Sequence, residues 1–206
     1  MILGFSEMVS GSNERSKEAF QPGKDGWISL FDGVQIRGWK TAPKSDWAVK
    51  DGLLTGTNGE ILNRWCWKNF EMSTLFRGMG TVRFRAGSNQ IGHTGFNQPG
   101  YRLDLNQGIL SAQGNQKITD IPRVLKKDDW NELQIRAIGG NLTISLNGKT
   151  IAEAKDCSSL EKGRIGFIAD GKHFQIKRLR ARPLGDRKKD TLPADNYFCY
   201  TCHSNF

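Results

Sequence analysis

From residue 24 to residue 184, short apolar runs are separated by Gly, Asn and Asp turns, and in several of them apolar side chains recur at every second position. Leu133, Ile135 and Ala137 alternate with polar neighbours. Leu142, Ile144 and Leu146 repeat the pattern against Thr143, Ser145 and Asn147. A strand turns successive side chains to opposite faces, so this rhythm describes sheets with one dry and one wet face. The same texture covers Trp27–Phe31, Trp47–Lys50, Leu53–Gly56, Phe70–Phe76, Val82–Arg85, Tyr101–Leu105, Arg164–Ala169 and Phe174–Arg182. No segment of helix length carries a 3.6-residue period. Asp51-Gly52 and Asn147-Gly148 each sit between two such runs and predict two-residue hairpin turns, because these residue types tolerate positive φ. In the last run the apolar phase slips: Phe174 and Ile176 are followed by Leu179 and Ala181, which predicts a β-bulge near Lys177–Arg178. Ten or more strands at this spacing imply an all-β fold of two packed antiparallel sheets, a sandwich or jelly roll.

The flanks differ. Residues 1–23 are polar and mixed and read as an arm; 24–184 form the sandwich. Residues 185–196, GDRKKDTLPADN, read as a linker, and 197–206, YFCYTCHSNF, as a short non-β tail rich in aromatics and Cys. No window approaches 18 apolar residues, so no transmembrane segment is expected. The opening MILGFSEMVS lacks the basic start and long apolar stretch of a signal peptide, and a leader is expected to have preceded it.

The formal net charge is +9, which raises the question of nucleic acid. The basic residues make no single stripe on a helix. Arg187, Lys188 and Lys189 lie in the linker, and Arg178, Arg180 and Arg182 alternate along one strand. That distribution argues against nucleic acid. It fits solvated surface, or docking onto an acidic partner protein or acidic glycan. Of the 6 Trp, those at 27, 47 and 130 lie in strand-like runs and are expected in the core. Trp65 and Trp67 flank Cys66, point to one side and are the better candidates for ligand or partner contact.

The segments GWISLFDGVQIRGWK, DWAVKDGLLTG, NFEMSTLFR, DDWNELQIRAIGGNLTISLNGKTI and GRIGFIADGKHFQIKRLRARPL, in that order over residues 26–184, resemble the 3-keto-disaccharide hydrolase domain family. The resemblance implies a concanavalin A-like jelly roll, a periplasmic or extracellular home, and cleavage of glycosidic bonds in sugars already oxidised at the 3-position. It also shows departures. The family's Asn-Ser-Gly stretch before Arg85 is here Met79-Gly80-Thr81, and its Gly-Tyr-Glu-x-Gln is Gly100-Tyr101-Arg102-Leu103-Asp104. Asp170 stands where the family has a His. Arg85, Tyr101, Arg102, Trp65 and Trp67 are the expected substrate-binding residues. Cleavage needs a base beside the ketone and an acid for the leaving oxygen, for which Asp104 and His93 are the candidates. With so many polar groups replaced, binding is favoured over hydrolysis in this copy.

Cys199-Tyr200-Thr201-Cys202-His203 is C-x-x-C-H, the attachment sequence of c-type haem. Its two thiols add to the porphyrin vinyl groups, and His203 then lies beneath the iron as axial ligand. Zinc would need partners from Cys66, Cys157, His93 or His173; a redox dithiol would lack its usual βαβ context; a plain disulfide is the third alternative. LPADNYFCYTCHSNF also resembles the first haem segment of multihaem cytochromes that follow sugar-type sandwich domains. His203 is three residues from the last residue, so either further haem motifs follow or the iron is capped from elsewhere, by His173 or His93 if the tail folds back. Cys66 and Cys157 either pair in an oxidising compartment or stay buried and inert. Asn141-Leu142-Thr143 is a glycosylation sequon, a reading that lapses in a bacterial product. Two functions are thus expected. One is a carbohydrate-active sandwich. The other is an electron-transfer protein, with haem c and an acidic redox partner, as a subunit of a membrane complex.

Overall fold

The computed structural model describes residues 22–87, 99–112, 116–122, 124–126, 128–155 and 162–185. Its strands are β1 (Ile28–Ser29), β2 (Trp39–Thr41), β3 (Ala48–Lys50), β4 (Leu53–Trp67), β5 (Phe70–Gly78), β6 (Thr81–Ala86) and β7 (Tyr101–Asp104). They continue with β8 (Ile109–Ala112), β9 (Gln116–Asp120), β10 (Asn131–Ile138), β11 (Asn141–Leu146), β12 (Lys149–Ala154) and β13 (Gly163–Pro183). The described residues contain no helix, and hence none long and apolar enough to cross a membrane.

Every pairing is antiparallel, and one long strand belongs to both layers. The first half of β13 lies between β4 and β6, as in Phe167 opposite Ile61 on one side and Val82 on the other. The front layer continues outward through β7, β8 and β9. The second half of β13 pairs along β5, which leads to β10, β11 and β12 in the back layer. Between the halves the register breaks from Asp170 to Phe174, and Gly171 takes φ +67 to turn the corner. The outermost described strands, β9 and β12, approach each other, so the sandwich nearly closes.

The core lies between the layers and is aromatic at the corner. Phe174 meets Phe76 and Phe167 edge-on at 5.7 and 5.8 Å, and Trp47 lies 6.2 Å from both Phe167 and Phe174. Such edge contacts contribute about 0.5–1.5 kcal/mol each beyond the area they bury.

Both expected hairpin turns form, with positive φ at Asp51, Gly52, Asn147 and Gly148. The expected bulge also forms: Ile176 pairs with Phe76 and Arg178 with Leu75, leaving Lys177 as the extra residue. The expectation for the Trp residues needs correction. Trp47 is core, but Trp27 and Trp130 are only half-buried. Arg180 and Arg182 lie 4.5 and 4.8 Å from the Trp27 ring, while Arg77 and Lys177 lie 5.0 and 5.5 Å from Trp130. Each ring holds cations over its face, where the ring quadrupole attracts them.

Asp46 clamps the entry to β3 onto β4. Its Oδ1 accepts from the Thr57 and Asn58 amides at 2.8 Å each, and Thr57 Oγ1 donates to its Oδ2. Desolvation pushes the carboxyl up, but the hydrogen bonds from Thr57 and Asn58 outweigh it and hold it below the usual carboxylate value. A carboxylate depressed in the folded state stabilises fully above its unfolded value and loses that contribution as pH falls through the folded one. Asp46→Asn is therefore expected to flatten the acid limb of a Tm-against-pH curve below about pH 4. An unchanged acid limb would contradict the assignment.

Candidate functional site

Alternation along β7 separates the residues the sequence had grouped. Tyr101 and Leu103 face the core, and Arg102 and Asp104 face outward. Tyr101 is fully buried, stacked on Phe84 with centroids 5.0 Å apart, so the expectation that it binds substrate is corrected. Arg85 is also fully buried, contrary to its expected substrate role. Arg164 pairs with Ala86 and Gly166 with Arg83, so β6 carries one extra residue, and Arg85 takes φ +48 there. Its guanidinium turns away and donates to the Lys68 carbonyl from Nε at 3.0 Å and Nη2 at 2.6 Å, and to the Gly139 carbonyl at 2.7 Å. It ties two hairpin ends together.

Trp65 and Trp67 do point to one side, but that side is the inside. Trp67 is core and packs on Phe70 at 6.2 Å, and Trp65 packs against the same cluster. Trp67 therefore presents no open face for stacking on a sugar, while Trp65 is half-buried. Asp104, the candidate base, is half-buried and accepts from the Asn106 and Gln107 amides at 2.9 Å each, capping the turn into β8. Of the remaining candidates, His93, Cys157, Cys199, Cys202 and His203 lie outside the described residues. His173 is exposed beside the β13 corner, and Cys66 is half-buried on β4. Among the described residues no group of three His, Cys, Asp or Glu is placed to hold a metal ion.

The outer face of the front layer brings together a different set. Glu60 projects from β4 and Arg83 from β6, and their side chains form a hydrogen-bonded ion pair with 7% and 1% of their surface exposed. Gly166, Arg83, Arg102 and Ser111 follow one another in register across β13, β6, β7 and β8. Gly166 leaves room for Leu62 on the neighbouring strand, since a Cβ there would collide with it. Leu62 and Ala86, with Ala42 packed against them, form a small apolar patch separate from the main core. Arg164, from β13, is buried in the same layer. Ser45 holds Glu60 in place: its hydroxyl accepts from the Glu60 amide at 3.1 Å and donates to the Glu60 carbonyl at 3.2 Å.

The electrostatics of this face centre on Arg83. Burial lowers its guanidinium from the usual value, Glu60 pulls it back up through charge and hydrogen bond, and the facing Arg102 lowers it again. A charged side chain this deep is tolerated because it is paired and hydrogen-bonded. Leu62, Ala86, Glu60 and Arg83 are nearly covered, so of this set only the half-buried Arg102 reaches the surface of the face. Glu60, Arg83 and Arg164 were not among the sequence candidates. Arg83 had a signal, since it is a charge between Val82 and Phe84 in an apolar run.

A family model for the 3-keto-alpha-glucoside-1,2-lyase-like domain matches residues 26–182. The chain belongs to this family. Its sandwich is also similar to solved structures, all at low identity. A Parabacteroides distasonis protein described as a glycosyl hydrolase aligns with TM-score 0.61 and 15% identity, covering 89% of this chain and 99% of its own. The carbohydrate-binding module CBM66 from Bacillus subtilis aligns with TM-score 0.55 and 16% identity, covering 70% and 95%. A Bacillus subtilis protein of unknown function with a galectin-like fold gives TM-score 0.60 and 13% identity, covering 78% and 92%. No curated protein matches the chain. Against the family pattern quoted above, Arg102 stands at a glutamate position and reverses the charge at that point of the outer face.

Proposed function

We propose that the outer face of β4, β13, β6 and β7 binds carbohydrate, and that the domain works outside the cytoplasm. The observation that carries this reading is the half-buried Arg102 on that face, set opposite Arg83 of the covered Glu60–Arg83 pair. Membership of a glycoside-acting family supports it, as does likeness to a glycosyl hydrolase and a carbohydrate-binding module. Binding is favoured over bond cleavage. Glu60 is covered and engaged by Arg83, and the orientation of Asp104 is set by its turn rather than by a partner acid.

The C-x-x-C-H sequence favours a second role in the same polypeptide: Cys199 and Cys202 hold haem c covalently, and His203 ligates the iron. In that role the sandwich is a platform that meets an acidic redox partner. The Arg180 and Arg182 pair over Trp27, on the back layer, is a suitable contact.

One preparation tests both. The chain is expressed in a host with a haem c maturation system, and its intact mass and pyridine haemochrome spectrum are measured. It is then titrated with a panel of neutral and acidic oligosaccharides. Added haem mass with a c-type α-band is expected, together with saturable saccharide binding. An apo mass alone removes the cytochrome role and leaves the carbohydrate role standing.

A further inference from the structure

We propose that the outer face selects carbohydrates bearing an anionic group, a carboxylate or a sulfate ester, and that Arg102 is the residue that reads it. This rests on the carbohydrate reading above and narrows its substrate class.

The β6–β7 register sets Arg83 directly opposite Arg102. Like charges at facing positions of an antiparallel pair are destabilising, and these two lie on a face partly withdrawn from water. Nearby carboxylates on this face are otherwise occupied. Glu60 is hydrogen-bonded to Arg83, Asp104 caps its turn, and Asp120 pairs with Lys117 at 2.7 Å. Arg102 itself is half-buried, and among the described residues its guanidinium makes no hydrogen bond or ion pair. The next residue across the sheet, Ser111, is buried and supplies a hydroxyl.

A cation held beside another cation, on a sheet face, is a standing electrostatic cost that an anionic ligand would relieve. The guanidinium fork suits both carboxylate and sulfate, which it can grip through two parallel N–H···O bonds. A neutral sugar leaves that repulsion in place.

The test compares uronate-containing oligosaccharides with their carboxyl-reduced counterparts and with sulfated neutral oligosaccharides, by calorimetry on the whole chain. Variants are Arg102→Gln and Arg136→Gln; the second removes the same charge from an exposed position on the back layer. The acidic or sulfated sugars are expected to bind at least tenfold more tightly than the reduced ones. Arg102→Gln should bring the two within twofold of each other, and Arg136→Gln should leave the gap intact. Which of the two anionic sets binds identifies the group. Arg102→Gln is also expected to raise Tm by a few degrees, which shows that it folds and that the facing charges repel. Equal affinity for charged and reduced sugars overturns the proposal and spares the carbohydrate reading. Equal weakening by both variants also overturns it, because general attraction to a basic protein would then suffice. If no member of the panel binds, both readings fall.

Discussion

Glu60→Ala is expected to lower the stability of the sandwich by about 3–5 kcal/mol, the cost of leaving one member of a buried ion pair without its partner. Arg83 would remain almost fully covered, with Arg102 opposite and the Glu60 carboxylate gone. The guanidinium cannot escape by losing its proton, since it stays charged at any accessible pH. The loss should appear as a lower urea midpoint with an unchanged slope. Two companions sharpen the result. Glu60→Leu with Arg83→Met removes both charges and should cost little or even stabilise, because desolvation of the pair is then avoided. Glu60→Ala with Arg102→Gln should recover part of the loss, since one source of repulsion goes. A cost below about 1 kcal/mol for Glu60→Ala, the size expected of a surface pair, would show that the pair is not buried as described.

Gly78→Ala should be comparably damaging, for a different reason. Gly78 takes φ +92 at the end of β5, where a Cβ would overlap the backbone carbonyl of His173. The obstacle is main chain, so no rotamer change relieves it, and it lies at the corner where β13 leaves one layer for the other. Strain and overpacking together put the cost at about 3–5 kcal/mol. Gly148→Ala is the matched comparison. Its φ is also positive, at +79, but nothing lies within 4 Å of the new methyl group. Only the backbone penalty of about 1–2 kcal/mol should remain. Similar Tm values for the two variants would refute the steric account.

Much of the fold was legible because its rules are local. Alternation located most of the strands, and Asp-Gly and Asn-Gly marked two turns. The phase slip after Ile176 located the Lys177 bulge, since one extra residue reverses every side chain beyond it. What failed was non-local. β13 reads as two runs, because Asp170-Gly171 looks like any other turn. Likewise β4 continues from Gly56 to Trp67 only because β2 and β13 pair with it.

The site followed the same division. Val-Arg-Phe-Arg places Arg83 and Arg85 on one face, yet the extra residue in β6 turns Arg85 to the end of the sandwich. Alternation alone would have parted Tyr101 from Arg102. The partner of Arg83 is 23 residues away on another strand, and no spacing rule points to it. Trp27 and Trp130 misled because aromatic content was equated with burial, while the cations that cover them come from other strands.

The shared strand β13 also sets the order in which this chain can fold. It is the last strand among the described residues, yet β4, β5 and β6 all complete their hydrogen bonding only against it. During synthesis, then, both layers must wait with a gap at their centre until residues 163–183 have left the ribosome. The emerging chain meanwhile carries hairpins with exposed apolar faces and open edges, the species most prone to associate with one another. Closure comes late and through long-range pairings, so folding should be slow for a domain of this size. Chaperone supply should limit its yield more than its final stability does.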